Sequence, residues 1–223
     1  MSKNIKEPFL VDLSGGTSEK DKTKTETFSR ARYQEWLALP ASKRERLGKI
    51  ITAQDESGLE TLRQISAPVG SLEFKSPRFH LLLAHLIGVA TAVNGLGLAA
   101  IQLGEPRRVF VAYVGSLIKE DINNGQRRRA EDYRFFVNLD WREGSNAFKD
   151  FLQEGCLSIP NVSFQIDRWR AIDINYDAPW GEHQMEIGVT GRLAHIIQHE
   201  ADHAIGVISN DHVLPLFRRE NKT

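Results

Sequence analysis

The segment Gln198-His199-Glu200-Ala201-Asp202-His203 constrains this chain more than any other. Its two histidines are four residues apart, and in a helix residues so spaced lie on one face, one turn above the other. On that face His199 and His203 can grip one metal ion, while Glu200 sits beside the metal without coordinating it. This is the H-E-x-x-H arrangement of metal hydrolases, with the glutamate as general base. The same helix has Leu193, Ile197 and Ala204 to turn toward a core, and His195 and Ile196 share the histidine face. A pattern with three fixed positions also arises by chance, so the motif needs support from elsewhere in the chain.

Two histidines leave a metal under-coordinated. The chain has one cysteine, Cys156, in Gln153-Glu154-Gly155-Cys156-Leu157-Ser158-Ile159-Pro160, and it is the obvious third ligand. A lone buried cysteine is more often a small hydrophobe, but here a glycine beside the thiol allows close approach of backbone or ligand. One cysteine cannot form an internal disulfide, which points to a reducing compartment and a thiol available for a metal. The N-terminus lacks a signal-type apolar core, and the longest apolar stretch, Leu81 to Val93, is short and interrupted by His85. The expected location is the cytoplasm, with no membrane partner. Lys+Arg 29 balance Asp+Glu 29, so no basic surplus argues for direct nucleic-acid binding.

The chain's 223 residues suit one domain with an appendage. Residues 1–29 are rich in Ser, Thr, Lys, Glu and Gly and read as a flexible arm. Residues 30–61 read as a helical extension, with one amphipathic helix from Phe28 to Leu39, ended by Pro40, and a second capped by Ser42 and running through Ile51. A catalytic domain over 62–223 follows. Phe79 to Val93 predicts a buried helix, and Gly95-Leu96-Gly97-Leu98 breaks it. Strands are predicted at Arg108–Val114, Arg134–Leu139, Ile172–Tyr176 and Gln184–Val189. Between the first two lies a polar stretch with a turn at Asn123-Asn124-Gly125 and a solvated Arg127-Arg128-Arg129. The metal-bearing helix runs from Arg192 to about Ile205. The expected fold class is α+β, with antiparallel sheets around a central metal-binding helix and an extra N-terminal helical segment. Gly95-x-Gly97 lacks the third glycine and the preceding strand of a dinucleotide site, which excludes that fold.

Three segments together resemble the peptide deformylase family: Gly95-Leu96-Gly97-Leu98-Ala99-Ala100-Ile101-Gln102, Glu154-Gly155-Cys156-Leu157-Ser158, and Gln198 to His203. They occur in the family's order, and the similarity runs from about Leu62 to Leu216, with Arg63 to Val69 like the family's entry segment. The resemblance implies one divalent ion per chain, held by Cys156, His199 and His203 with water in the open fourth position. Fe2+ is the family's usual ion, and Zn2+, Ni2+ or Co2+ can replace it; affinity alone favours zinc, so availability decides. The metal acidifies its water for attack on the formyl carbon of an N-formylated peptide or nascent chain. Glu200 takes the proton and passes it to the departing amine. The Gln102 side-chain amide and the Leu157 backbone N–H receive the oxyanion. Leu96, Gly97, Gly155, Arg192, His195 and Ile196 form the substrate-facing set, the two glycines letting the peptide lie alongside like an added strand. Glu154 is read as orienting a ligand from behind. A metal-bound thiolate predicts oxygen sensitivity.

Departures from the family pattern bear on the substrate. Arg192 and His195, seven and four residues before His199, fall where relatives usually place an apolar residue lining the pocket for the first side chain. Either both point past the pocket to solvent, or they alter the substrate preference. Ser163 stands where many relatives have an arginine, whereas Arg168 matches a commonly kept one. Ala204-Ile205-Gly206 replaces the usual Leu-x-Gly. The short end at Phe217 to Thr223 argues against ribosome docking through a long terminal helix, leaving some other ribosome contact, and monomer or homodimer, open. Rival readings are a deformylase with a non-methionine substrate, a non-catalytic binder of N-blocked peptides, and a zincin protease. The last would have its third histidine where Ser209 stands, or else use Glu220 almost at the chain end, and its methionine turn is missing.

Overall fold

A computed structural model describes residues 49–115 and 128–212. The expected arm over 1–29, the helix from Phe28 to Leu39, most of the second helix, the Asn123-Asn124-Gly125 turn, Arg127 and the chain end after His212 lie outside these residues. Lys49, Ile50 and Ile51 are described and are not helical. Helix α1 begins later, over Glu56–Leu62, with the Asp55 carboxylate accepting from the Gly58 N–H at 2.7 Å as N-cap. Helix α2 covers Pro77–Ala92, with Ser76 capping the Phe79 N–H at 3.1 Å and proline in the first turn, where its missing N–H costs nothing.

Strands β1 (Gly97–Ala99), β2 (Val109–Tyr113), β3 (Tyr133–Glu143), β6 (Ala171–Asp177) and β7 (His183–Thr190) form one sheet in the order β1-β2-β3-β6-β7, every pair antiparallel. Strands β4 (Lys149–Cys156) and β5 (Ile159–Trp169) form a separate antiparallel hairpin. Helix α3 covers Gly191–Ala204. This is the expected α+β architecture.

The middle of the larger sheet is buried on both faces, and the period-two alternation of strands shows which residue goes where. Val109, Val111, Phe135 and Val137 pack with Leu83, Leu86, Ile87 and Ala90 of α2. Phe110, Ala112 and Phe136 pack on the opposite side with Ala194, Ile196 and Ile197 of α3. A strand covered on both faces must be apolar at every position, which is why Val109 to Tyr113 reads as an unbroken apolar run. The sheet thus acts as a wall that holds α3 by its apolar stripe and leaves the histidine face turned toward the hairpin. No helix among the described residues is long and apolar enough to cross a membrane.

Candidate active site

Three elements bring the predicted site residues together. Helix α3 brings His199, Glu200 and His203; the tip of the β4–β5 hairpin brings Cys156; and a 3-10 turn at Ala100–Leu103 brings Gln102. The hairpin tip is tight: Cys156 is opposite Ile159, and a register shift falls between Gly155 and Cys156. The shift re-aims the last residue of β4 inward, and Cys156 is buried. Donor atoms of Cys156, His199 and His203 lie within 4.8 Å of one another. Sγ is 3.4 Å from His203 Nε2, and the two imidazoles meet edge to face at 5.1 Å.

Behind these groups is a chain of charges, buried at Arg168 and reaching the surface at His212. His199 Nδ1 is 2.9 Å from Glu154 Oε2, which leaves Nε2 for a ligand. Glu154 also accepts from Arg168 through Nε at 2.6 Å and an NH2 nitrogen at 3.0 Å, a bidentate pairing. Arg168 continues to Asp202 at 2.9 Å, and Asp202 meets His212 at 2.8 Å. Burial alone pushes the Glu154 carboxyl up, but hydrogen bonds from His199 and Arg168, with the His195 ring 3.7 Å away, hold it well below the usual carboxylate range. Asp202 is likewise lowered, burial being outweighed by His212 and Arg168. No role for Gln198 follows from the sequence. Its amide both donates to the Trp169 carbonyl at 2.8 Å and accepts from the Trp169 N–H at 3.1 Å, so it fastens α3 to β5.

The Cys156 thiol is pulled down to about 5: burial raises it, but hydrogen bonds with His199 and His203 prevail. His199 is raised to about 10, burial being outweighed by Cys156 and Glu154. A thiolate beside imidazoles is a metal-ready donor set, and a divalent cation bound there would displace the proton that His199 holds. Glu200 is different. Burial pushes its carboxyl up to about 7, with His199 and His203 only partly opposing, and its Oε2 is buried with no hydrogen-bond partner. An unpaired buried carboxylate oxygen is costly to fold around. Its position beside two imidazoles and a thiol gives it something to receive: a proton from a water held there. The residues present therefore fit a metal and its water.

Gln102 is buried and held at both ends of its amide. Oε1 accepts from the Ala99 N–H at 2.8 Å, and Nε2 donates to Ser158 Oγ at 3.1 Å while facing Cys156 Sγ at 4.0 Å. Backbone bonds from Ile51 to the Gln102 carbonyl and from Ala53 to the Ser158 carbonyl, both 2.8 Å, strap residues 49–53 across the two segments that flank it.

A cavity of about 460 Å3 opens over these groups. Leu96, Gly97, Gly155, Leu157, Arg192, His195 and Ile196 line it together with Gln102, Cys156, His199 and Glu200; His203 is buried behind it. Ser163 is not among the lining residues. The two glycines differ. Around Gly155 nothing stands within 4 Å of where a Cβ would project, as expected for a surface that a substrate approaches. At Gly97 a Cβ would lie 2.7 Å from the Glu200 carboxyl carbon, so that glycine makes room for Glu200 and not only for substrate. His195 does not point to solvent: it is buried, with Nε2 2.7 Å from Asp150. Arg192 is exposed at the cavity rim.

With this geometry in place, comparison with known proteins is specific. Residues 48–219 match a family model described as polypeptide deformylase. A peptide deformylase of Caulobacter vibrioides is 33% identical over 172 residues, covering 76% of this chain and 90% of its own length. Among solved structures, the peptide deformylase of Thermotoga maritima matches with a TM-score of 0.60 at 28% identity, over 74% of this chain and 97% of that one. The class I type b enzyme of Acinetobacter baumannii, with Met-Ala-Ser bound, has a TM-score of 0.63 at 24% identity, covering 74% and 98%.

Proposed function

The chain belongs to the polypeptide deformylase family, whose reaction removes the formyl group from a peptide's N-terminal residue as formate, and from that premise we propose which of its residues carry the reaction and with which ion. Cys156, His199 and His203 hold one divalent ion, and the observation that carries this reading is their convergence beside a buried Glu200 oxygen with no partner. Fe2+ is the proposed ion; a set of one thiolate and two imidazoles also suits Zn2+, Ni2+ or Co2+. When bound, the ion acidifies water and polarises the formyl oxygen.

The protein's own groups do the rest. Glu200, poised near neutrality by burial, accepts the proton of the attacking water and delivers it to the departing amine nitrogen. The Gln102 amide, fixed through Ala99, offers an N–H to the oxyanion, with the Leu157 backbone N–H as second donor. Glu154 fixes His199 by accepting a hydrogen bond from its Nδ1–H, and Arg168 holds Glu154 in turn. Leu96, Gly97, Gly155 and Ile196 line the peptide's path. Residues 49–61 are assigned to the same catalytic unit, because their strap bonds the Gln102 and Ser158 carbonyls. The substrate is a formylated peptide or nascent chain. A single cysteine, which can form no internal disulfide, supports a reducing compartment, and the cytoplasm is the proposed location.

The test is formate release from a formyl-Met peptide by anaerobically prepared, Fe2+-loaded protein, alongside Cys156→Ser. Release by the wild type, with metal lost from the variant, is the expected result. Full metal retention in the variant would favour a zincin-type site, and tight peptide binding without formate would favour a binding protein.

A further inference from the structure

The cavity's outer end carries a charge that the reaction does not use. On α3, Arg192, His195, Ile196 and His199 are spaced three, four and seven residues apart and line the cavity in one row. Apart from the proposed ligands and Glu200, the charged residues lining it are Glu154 and Arg192. Glu154 is matched by Arg168, His195 and His199. The nearby Asp150 carboxylate is taken by His195. Arg192 is left with no ion pair among the described residues.

We propose that Arg192 is a specificity residue that binds a carboxylate carried by the first or second residue of the formyl-peptide, next to a polar wall made by the His195–Asp150 pair. This rests on the deformylase reading above. Seven helical residues put Arg192 about 10 Å along the axis from His199. An extended peptide advances about 3.3 Å per residue. With the formyl carbon at Cys156 and the histidines, a first side chain or the second residue spans much of that gap, and the long arginine covers the remainder. His195 cannot swing out to take the carboxylate, because it is buried and held at 2.7 Å by Asp150. The guanidinium's planar fork of donors suits a carboxylate geometrically as well as electrostatically.

The experiment uses the full-length, Fe2+-loaded protein and formyl-peptide amides differing only in Glu against Gln, placed at the first or the second position, with formyl-Met-Ala-amide as reference. The expected result is a preference for Glu of about tenfold in kcat/KM at one of the two positions, carried by KM and reduced by salt. The ratio should fall toward one in Arg192→Gln and invert in Arg192→Glu. The position that shows the preference identifies the source of the carboxylate. Formate released from every peptide with a Glu-to-Gln ratio of one, or a ratio unchanged in Arg192→Gln, overturns the inference and leaves the deformylase reading intact. No formate from any peptide, the reference included, overturns both.

Discussion

His195 and His199 are one turn apart on α3 and both face Glu154, yet the two ends of the cavity they mark are built differently. At the inner end, His199, Glu154, Arg168, Asp202 and His212 form an unbroken series of contacts between 2.6 and 2.9 Å. At the outer end, Arg192 is exposed and unmatched among the described residues, and Asp150 is half-buried. Charges removed from water are tolerated only when each has its partner, so the inner end resists change. A solvated cation at the rim imposes no such requirement. The difference follows the two proposed tasks of the site: the groups proposed for the chemistry are backed by a buried network, and the group proposed to select substrate is free to be exchanged.

The largest expected effect tests the inner end. Glu200→Gln keeps shape and removes the base, so kcat for formate release should fall about 10^2–10^4-fold, with metal content by elemental analysis unchanged. Undiminished turnover would leave Glu200 as a mere occupant of the space Gly97 provides. Next comes Arg168→Met, which leaves Glu154 and Asp202 buried without their shared cation. Its cost is expected to be about 3–5 kcal/mol in denaturant unfolding. Arg192→Gln, at the rim, should stay within about 0.5 kcal/mol. Equal costs for the two variants would erase the contrast between the ends.

Glu200 also gives the inner end a pH signature in the metal-free protein. Its carboxyl rises from 4.5 in the ordinary state to about 7 in the fold, chiefly through burial. The folded state therefore binds this proton more tightly than the unfolded state does, and the contribution to stability falls as pH rises from about 4.5 to about 7, then levels. Glu200→Gln lacks that slope. Thermal melts of the two metal-free proteins should show the variant gaining on the wild type across this window; a constant gap would mean that the carboxyl is not buried as described.

Much of this was legible in the residues. The helix expected to carry two metal ligands, from Arg192 to about Ile205, spans Gly191–Ala204, and the strand expected at Arg108–Val114 spans Val109–Tyr113. Both have one-sided or complete apolar burial, which leaves a clear period in the sequence. The β4–β5 hairpin was not legible. It belongs to no larger sheet, Phe151 is 61% exposed, and its inward positions include Glu154 and Arg168, charged residues buried only because they find each other. The apolar alternation there is short, Phe164 and Ile166 in β5, and it runs directly into Arg168, so the pattern breaks where an ion pair fills the interior. The roles of Gln198 and Asp202 were hidden for the same reason, since their partners Trp169 and Arg168 are distant in the chain.

Gly97 and Gly155 carry the comparison to single atoms. Sequence alone does not distinguish them, since each sits in a motif with a proposed site residue. In the fold, a Cβ on Gly97 would crowd the carboxyl of Glu200, with its carbon at 2.7 Å, whereas a Cβ on Gly155 would meet nothing within 4 Å. Glu200 is buried on a packed helix and cannot retreat without disturbing the core. Gly97→Ala should therefore displace the base, and a shift of about 1 Å is enough for roughly a 10^2-fold loss in kcat. Gly155→Ala adds a methyl in open space inside the cavity. Its unfolding free energy should change by less than about 0.5 kcal/mol, and any kinetic effect should fall on KM, where an approaching peptide meets the methyl. Steady-state kinetics with one formyl-peptide, run on both variants, reads the difference directly. If Gly97→Ala also changed KM alone, the space at Gly97 would belong to the substrate and not to Glu200.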